Sequence, residues 1–188
     1  MPDTMKPLSE ELKKQVLDWC RELIRVRLAK GKKPESPDLE GRRGGVFVTL
    51  KRLGRLRGCI GRFAFNEPLD ESIADMVLAA AFQDPRFPAM TKTELDGLDI
   101  TVSILTPPRE LKSLDDLLIG RDGLYLVHPQ GRGVLLPVVA VEHNFTPEQF
   151  ARQTSLKAGL SPESYKDPGA QLLVFTAPAF STDPSEND

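Results

Sequence analysis

Cysteine is nearly missing from this chain: Cys20 and Cys59 are its only two thiols in 188 residues. Two cysteines make no disulfide framework, so a packed core must hold the fold, and free thiols in a cytoplasmic setting are the expectation. Histidine is equally scarce. His128 and His143 stand at no metal-ligand spacing from a cysteine, so neither a metal centre nor a cofactor is expected. An excess of one charge is also lacking. The 25 Lys and Arg against 27 Asp and Glu leave a net −2, without the basic surplus with which nucleic-acid-binding domains gather phosphate. No apolar run approaches the roughly 20 residues that a membrane-spanning helix needs. The opening MPDTMKPLSEELKKQ has no apolar stretch of the secretory kind. Phosphate loop, dinucleotide fingerprint and Gly-x-Ser-x-Gly elbow are absent.

What is present is a chain apolar enough, at 40%, to bury a core. Ser9 reads as an N-cap, followed by Glu10 and Glu11 in the positive first turn. Leu12, Val16, Trp19, Cys20, Leu23, Ile24 and Leu28 then recur at helical spacing up to Lys30-Gly31, which places Cys20 in the core. After a loop over 31–45, Val46–Lys51 and Arg55–Phe63 flank Gly54 and read as a β-hairpin. A second helix opens around Asn66–Glu71 and stops at Asp84–Pro88, DPRFP. Leu98–Leu105 alternates as a strand, with Thr101 and Ser103 on its polar face. Ser113–Leu118 reads as a short helix. Gly123–His128 and Gly133–Val141 read as strands, the second interrupted or bulged at Pro137. Thr146 and Pro147 start a further helix. Ala170–Thr176 is a last strand, and the tail from Pro178 is expected to be disordered. Strands joined directly by short turns predict an α+β fold with a mainly antiparallel sheet packed with helices.

Within Leu56–Gly61, LRGCIG, strict alternation puts Leu56, Gly58 and Ile60 on one face and Arg57, Cys59 and Gly61 on the other. With Leu56 and Ile60 in the core, Cys59 would lie beside Arg57, whose guanidinium favours a thiolate. Gly58 and Gly61 would allow a ligand or another backbone to approach closely. Arg57 could hold a carboxylate or phosphate, and Arg86 could act as a second clamp. The structural alternative pairs Arg86 with Asp84 to fix the turn between Pro85 and Pro88. Glu142, after the apolar run LLPVVAV, is either a buried acid suited to proton transfer or a solvent-facing strand end.

LRGCIG resembles the signature of the AMMECR domain family. GVFVTL at Gly45–Leu50, AAAFQDPRFP at Ala79–Pro88, ITVSILTPP at Ile100–Pro108, GVLLPVVAVE at Gly133–Glu142, and KAGL with the YKDP that follows stand in family order over residues 8–180. The resemblance implies one AMMECR-like domain of two lobes, possibly discontinuous in sequence, with a cleft between them and a disordered tail at 181–188. Near that cleft it places Arg57, Gly58, Cys59, Gly61, Asp84, Arg86, Phe87, Pro137 and Glu142. It also implies an accessory role beside a Memo-like protein and a radical SAM protein. Asp122 stands where relatives often carry histidine, and Ser155 where many carry cysteine.

Three functions follow from the residues and the resemblance. One is a binding module that takes a small anionic ligand or a partner segment through Arg57 and Arg86. Another is a thiol-dependent enzyme with Cys59 as nucleophile and Glu142 or a histidine as base. The last is an RNA-binding accessory through Arg42, Arg43, Lys51, Arg52 and Arg55, for which a solvated basic loop is the simpler explanation.

Overall fold

A computed structural model describes residues 7–183. The chain divides into two compact units. One runs up to Leu105 and resumes at Pro178; the other is the continuous stretch Thr106–Ala177.

The first unit opens with α1, Glu10–Ala29. Ser9 Oγ accepts the Leu12 N–H at 3.2 Å, and Lys30 turns left-handed at φ 56° so that Gly31 N–H closes on the Val26 carbonyl. The stripe read from the sequence is the buried one, including Trp19, Cys20 and Ile24. The sheet contains β1 (Val46–Arg52), β2 (Arg55–Arg62), β3 (Leu98–Ile104) and β8 (Ala179–Ser181) in the order β2-β1-β3-β8. All three pairings are antiparallel. Val46, Val48 and Leu50 of β1 join Leu98, Ile100 and Val102 of β3 in the core. Helices α1 and α2 (Leu69–Phe82) cover that face. Contact with α2 is close enough to dictate sequence: a Cβ on Gly58 would lie 2.1 Å from the Ala80 carbonyl oxygen.

The second unit has its own antiparallel sheet, ordered β4-β7-β5-β6. Its strands are β4 (Arg109–Glu110), β5 (Asp122–His128), β6 (Gly131–Leu135) and β7 (Gln171–Thr176). α4 (Pro147–Lys157) packs on β5 and β6, with Phe150 and Ala151 buried against Leu124, Leu126 and Val174. Thr146 and Gln149 form the reciprocal cap at its start. The α+β class and the antiparallel sheets match the expectation from sequence.

Three local expectations change. The strand expected over Gly133–Val141 ends at Leu135, and Pro137 begins the short helix α3, Pro137–Glu142. Proline has no N–H to give a ladder, but at a first helical position none is needed. Ser113–Leu118 contracts to a single 3₁₀ turn, Leu114–Asp116. The tail expected to be disordered from Pro178 instead supplies β8. Phe180 enters the core, and Thr182 Oγ1 accepts the Ile100 N–H at 2.9 Å. Three residues are too few to display a period of two. Residues 184–188 of the expected tail lie outside those described. Among the described residues, no helix is long and apolar enough to cross a membrane.

Candidate functional site

The site grows from the β1–β2 pairing. Leu50 faces Gly58 but Lys51 faces Leu56, so Arg57 is an extra, bulged residue. The bulge resets the alternation. Gly58 meets α2 and Ile60 packs on the core, as expected. Leu56, however, pairs across the strands with Lys51 and is 42% exposed instead of anchoring the core. Cys59 and Gly61 face away from the helices.

Arg57 does not serve as a free cation beside the thiol. It is buried to 8% exposure, with Nε donating to Glu94 Oε1 at 2.6 Å and Nη2 to the Pro88 carbonyl at 2.9 Å. Arg57 in turn holds the Glu94 carboxyl at about 2, against the opposing effect of burial. Its Nη1 is buried without a hydrogen-bond partner. Phe87 lies between the two arginines, its ring centre 5.8 Å from the Arg57 guanidinium and 5.6 Å from that of Arg86.

Asp84 and Arg86 pair as the structural alternative anticipated, and they do more than fix their turn. Asp84, 1% exposed at its side chain, accepts Arg86 Nη2 at 2.7 Å and Arg86 Nε at 2.9 Å. It also accepts the Cys59 N–H at 2.9 Å, while Arg86 Nη2 donates to the Cys59 carbonyl at 3.1 Å. The two side chains thus occupy both outward backbone groups of Cys59 on the edge strand, in place of a neighbouring strand. The Arg86 bonds hold the Asp84 carboxyl far below the usual carboxylate range despite its burial.

Cys59 Sγ shares a hydrogen bond with Thr49 Oγ1 at 3.3 Å. Cross-strand register extends this contact into a row: Cys59 faces Thr49, Thr49 faces Thr101, and Thr101 faces Ser181. Thr101 Oγ1 donates to Ser181 Oγ at 2.9 Å. Thr49, Thr101 and Cys59 are half-buried and Ser181 is buried. In the next row Gly61 faces Phe47, whose ring atoms lie 2.2–2.4 Å from where a Cβ would stand, so this glycine makes room for a side chain of its own sheet. A thiol and three hydroxyls therefore run across all four strands, with Arg86 at the Cys59 end. The alternation of Thr101 and Ser103 is visible in the sequence. The alignment of Thr49 and Ser181 with them depends on the bulge and on β8, and Glu94 carried no signal.

Pro137 and Glu142 belong to the other unit. Pro137 is buried at the start of α3, whereas Glu142 is exposed at its end and is not a buried acid. His128 Nε2 lies 3.4 Å from Asp167, and His143 stacks on Phe145 at 5.1 Å. The two departures from the family pattern have structural roles. Asp122 is fully buried; burial pushes its pKa up, but bonds from Arg121 and the Leu118 N–H outweigh this and leave it lowered. Ser155 donates to the Ala151 carbonyl within α4. Cys20 is sealed in the core, where burial pushes its thiol up to about 12. Among the described residues, no three His, Cys, Asp or Glu side chains are grouped to hold a metal ion.

Two helix-backed antiparallel sheets, one with a clasped edge and a thiol–hydroxyl face, define the class: an α+β protein of two units, the first of which carries the LRGCIG strand. The chain belongs to the AMMECR1 family, whose model matches residues 17–180. A protein of Methanothermobacter thermautotrophicus is 38% identical over 187 residues, covering 94% of this chain and 97% of its own. One from Methanosarcina mazei is 37% identical, covering 92% of each. The crystal structure of an uncharacterised protein from Pyrococcus horikoshii superposes with a TM-score of 0.85 at 33% identity, covering 96% of each chain.

Proposed function

We propose that this protein is a cytoplasmic binding module whose ligand, a small carboxylate or a carboxylate-bearing partner segment, docks on the Cys59–Thr49–Thr101 row beside Arg86. The carrying observation is the pairing of Arg86. Asp84 fixes one edge of its guanidinium while the side chain remains about half exposed, at 54%. A cation held in place at one end of a row of hydroxyls suits an acceptor-rich ligand at little ordering cost. Arg57, sealed against Glu94, supports the bulge and is not a clamp. The thiol-enzyme reading is weaker, because the hydrogen-bond partner of Cys59 is a hydroxyl and not a base. A binding module also suits the accessory role beside Memo-like and radical SAM proteins that the family resemblance implies.

The test is a titration of the full chain with acetate, succinate and citrate, followed by backbone amide NMR. The expected result is saturable shifts centred on Thr49, Cys59 and Thr101. They should be weakened by Thr49→Val, which keeps the side-chain volume, and retained in Cys59→Ala. Shifts that spread over the surface, or that ignore Thr49→Val, would sink the proposal.

A further inference from the structure

The β1–β2 turn holds a feature that the sheet face does not use. Leu53 and Gly54 both have positive φ, 52° and 72°, the backbone of a type I′ turn. Glycine accepts this freely, but leucine does not, and Asn, Asp or Gly is the usual first residue there. Leu53 is also 81% exposed, so no packing among the described residues compensates for the conformation. A contact outside the chain would account for a side chain that suits neither its turn nor a core. Leu56 adds a second exposed apolar group nearby, and Arg52 and Arg55 flank the turn. Arg55 has no ion pair among the described residues, and Arg52 reaches only the Thr93 carbonyl, at 3.5 Å. The tip is an apolar knob between two uncompensated cations.

The second unit presents a surface of the opposite character. Leu118, Ile119, Val138 and Val141 are each 37–53% exposed. Val138 and Val141 are three residues apart on α3, whose Pro137 and Ala140 are buried, and a Cβ on Gly120 would stand 3.5 Å from a Val141 methyl. Asp116 and Glu142, both exposed, are close in sequence on either side and form no ion pair among the described residues.

We propose that the Leu53 tip of one copy of this chain docks on the Leu118–Val141 surface of a second copy, with Arg52 and Arg55 facing Asp116 and Glu142. Apolar contact supplies the attraction, and the charges select the orientation. The tip fits other occupants less well. It carries no aromatic side chain for stacking bases. It also falls short of the four to eight clustered cations, roughly, that draw a segment to an anionic bilayer.

Sedimentation equilibrium of the full chain from about 1 to 500 μM tests this directly. Reversible self-association is expected, weakened about tenfold or more by Leu53→Asn and weakened by rising salt. Asparagine suits the turn, so the melting temperature of Leu53→Asn should equal or exceed the parent's, which separates lost docking from lost folding. Arg55→Glu and Glu142→Arg should each weaken association, and the double variant should recover it. A monomer at every concentration overturns the proposal, as does unchanged association in Leu53→Asn or simple addition of the two charge reversals. Binding of a monomeric chain to phosphatidylserine vesicles would likewise overturn it and assign the tip to a membrane surface.

Discussion

Removing Arg86 should harm the fold more than removing Arg86 and Asp84 together. Asp84 is 1% exposed and receives bonds from the Arg86 guanidinium, the Arg86 N–H and the Cys59 N–H. Arg86→Ala leaves this carboxylate buried with its compensating charge gone. Stranding one member of a buried pair costs roughly 3–5 kcal/mol, and the lower end applies because Arg86 itself is half exposed. Asp84→Ala removes several acceptor contacts but leaves Arg86 hydrated, at about 2 kcal/mol. The double variant frees the Arg86 N–H in an exposed turn and the N–H and C=O of Cys59 on an edge strand, where water replaces each bond at a net cost of roughly 0.5–1 kcal/mol apiece, about 2 kcal/mol together. The sum of the singles is then about 5 kcal/mol against about 2 kcal/mol for the double, a coupling of about 3 kcal/mol. Urea unfolding followed by Trp19 fluorescence reads this well, since Trp19 is the only tryptophan and is buried in α1 of the same unit. Acid should narrow the gap. The folded-state pKa of Asp84 is depressed, so its stabilisation is complete above the unfolded carboxylate value and fades as pH falls through the folded one. Arg86→Ala removes the cause of that depression, so its deficit should hold down to the ordinary carboxylate value of 3.8 and shrink as pH falls below it. Additive costs in the three variants would refute the clasp.

Gly58→Ala should cost roughly 3 kcal/mol or more, because its Cβ meets backbone at Ala80, whereas Gly61→Ala should cost about 1–2 kcal/mol, because it meets a Phe47 ring that can turn; the same urea titration separates them. Glu94, held at about 2 by Arg57, contributes stability that is whole above its ordinary 4.5 and is lost as pH falls toward 2. That contribution is about 3 kcal/mol at most and should be absent from Glu94→Gln in acid unfolding curves. With Cys20 buried and its thiol pushed up to about 12, a native-state assay with an aromatic disulfide should count one rapidly reacting thiol, removed by Cys59→Ser, and two in urea.

Where side-chain periodicity alone decides structure, the sequence was readable. The α1 stripe, the alternation of β3 and the Thr146 cap each announce themselves within a few residues. Features set by three-dimensional register were not readable. Nothing in LRGCIG marks Arg57 as the residue left over when β2 pairs with β1, yet that one residue sends Leu56 to the solvent side and Arg57 to Glu94. In GVLLPVVAV the apolar run hides a change of element, because a strand buried on both faces and a short helix have the same composition. The pairing of Asp84 with Arg86 was legible from their spacing. Its target, the backbone of Cys59, was not, since the two positions are brought together only by the packing of α2 on the sheet.

Strand β8 joins the first sheet although the whole second unit lies between it and β3 in the chain. A ribosome therefore delivers α1, the hairpin, α2 and β3 long before the strand that completes their sheet. In that interval β3 has an unpaired edge, and the place of Phe180 in the core stands empty. The second unit, contiguous in sequence, can close on local contacts during the same interval. Maturation of the first sheet is thus timed by the arrival of residues 179–182, and a chain stalled or cut before them would keep a sticky flank exposed for as long as it survived.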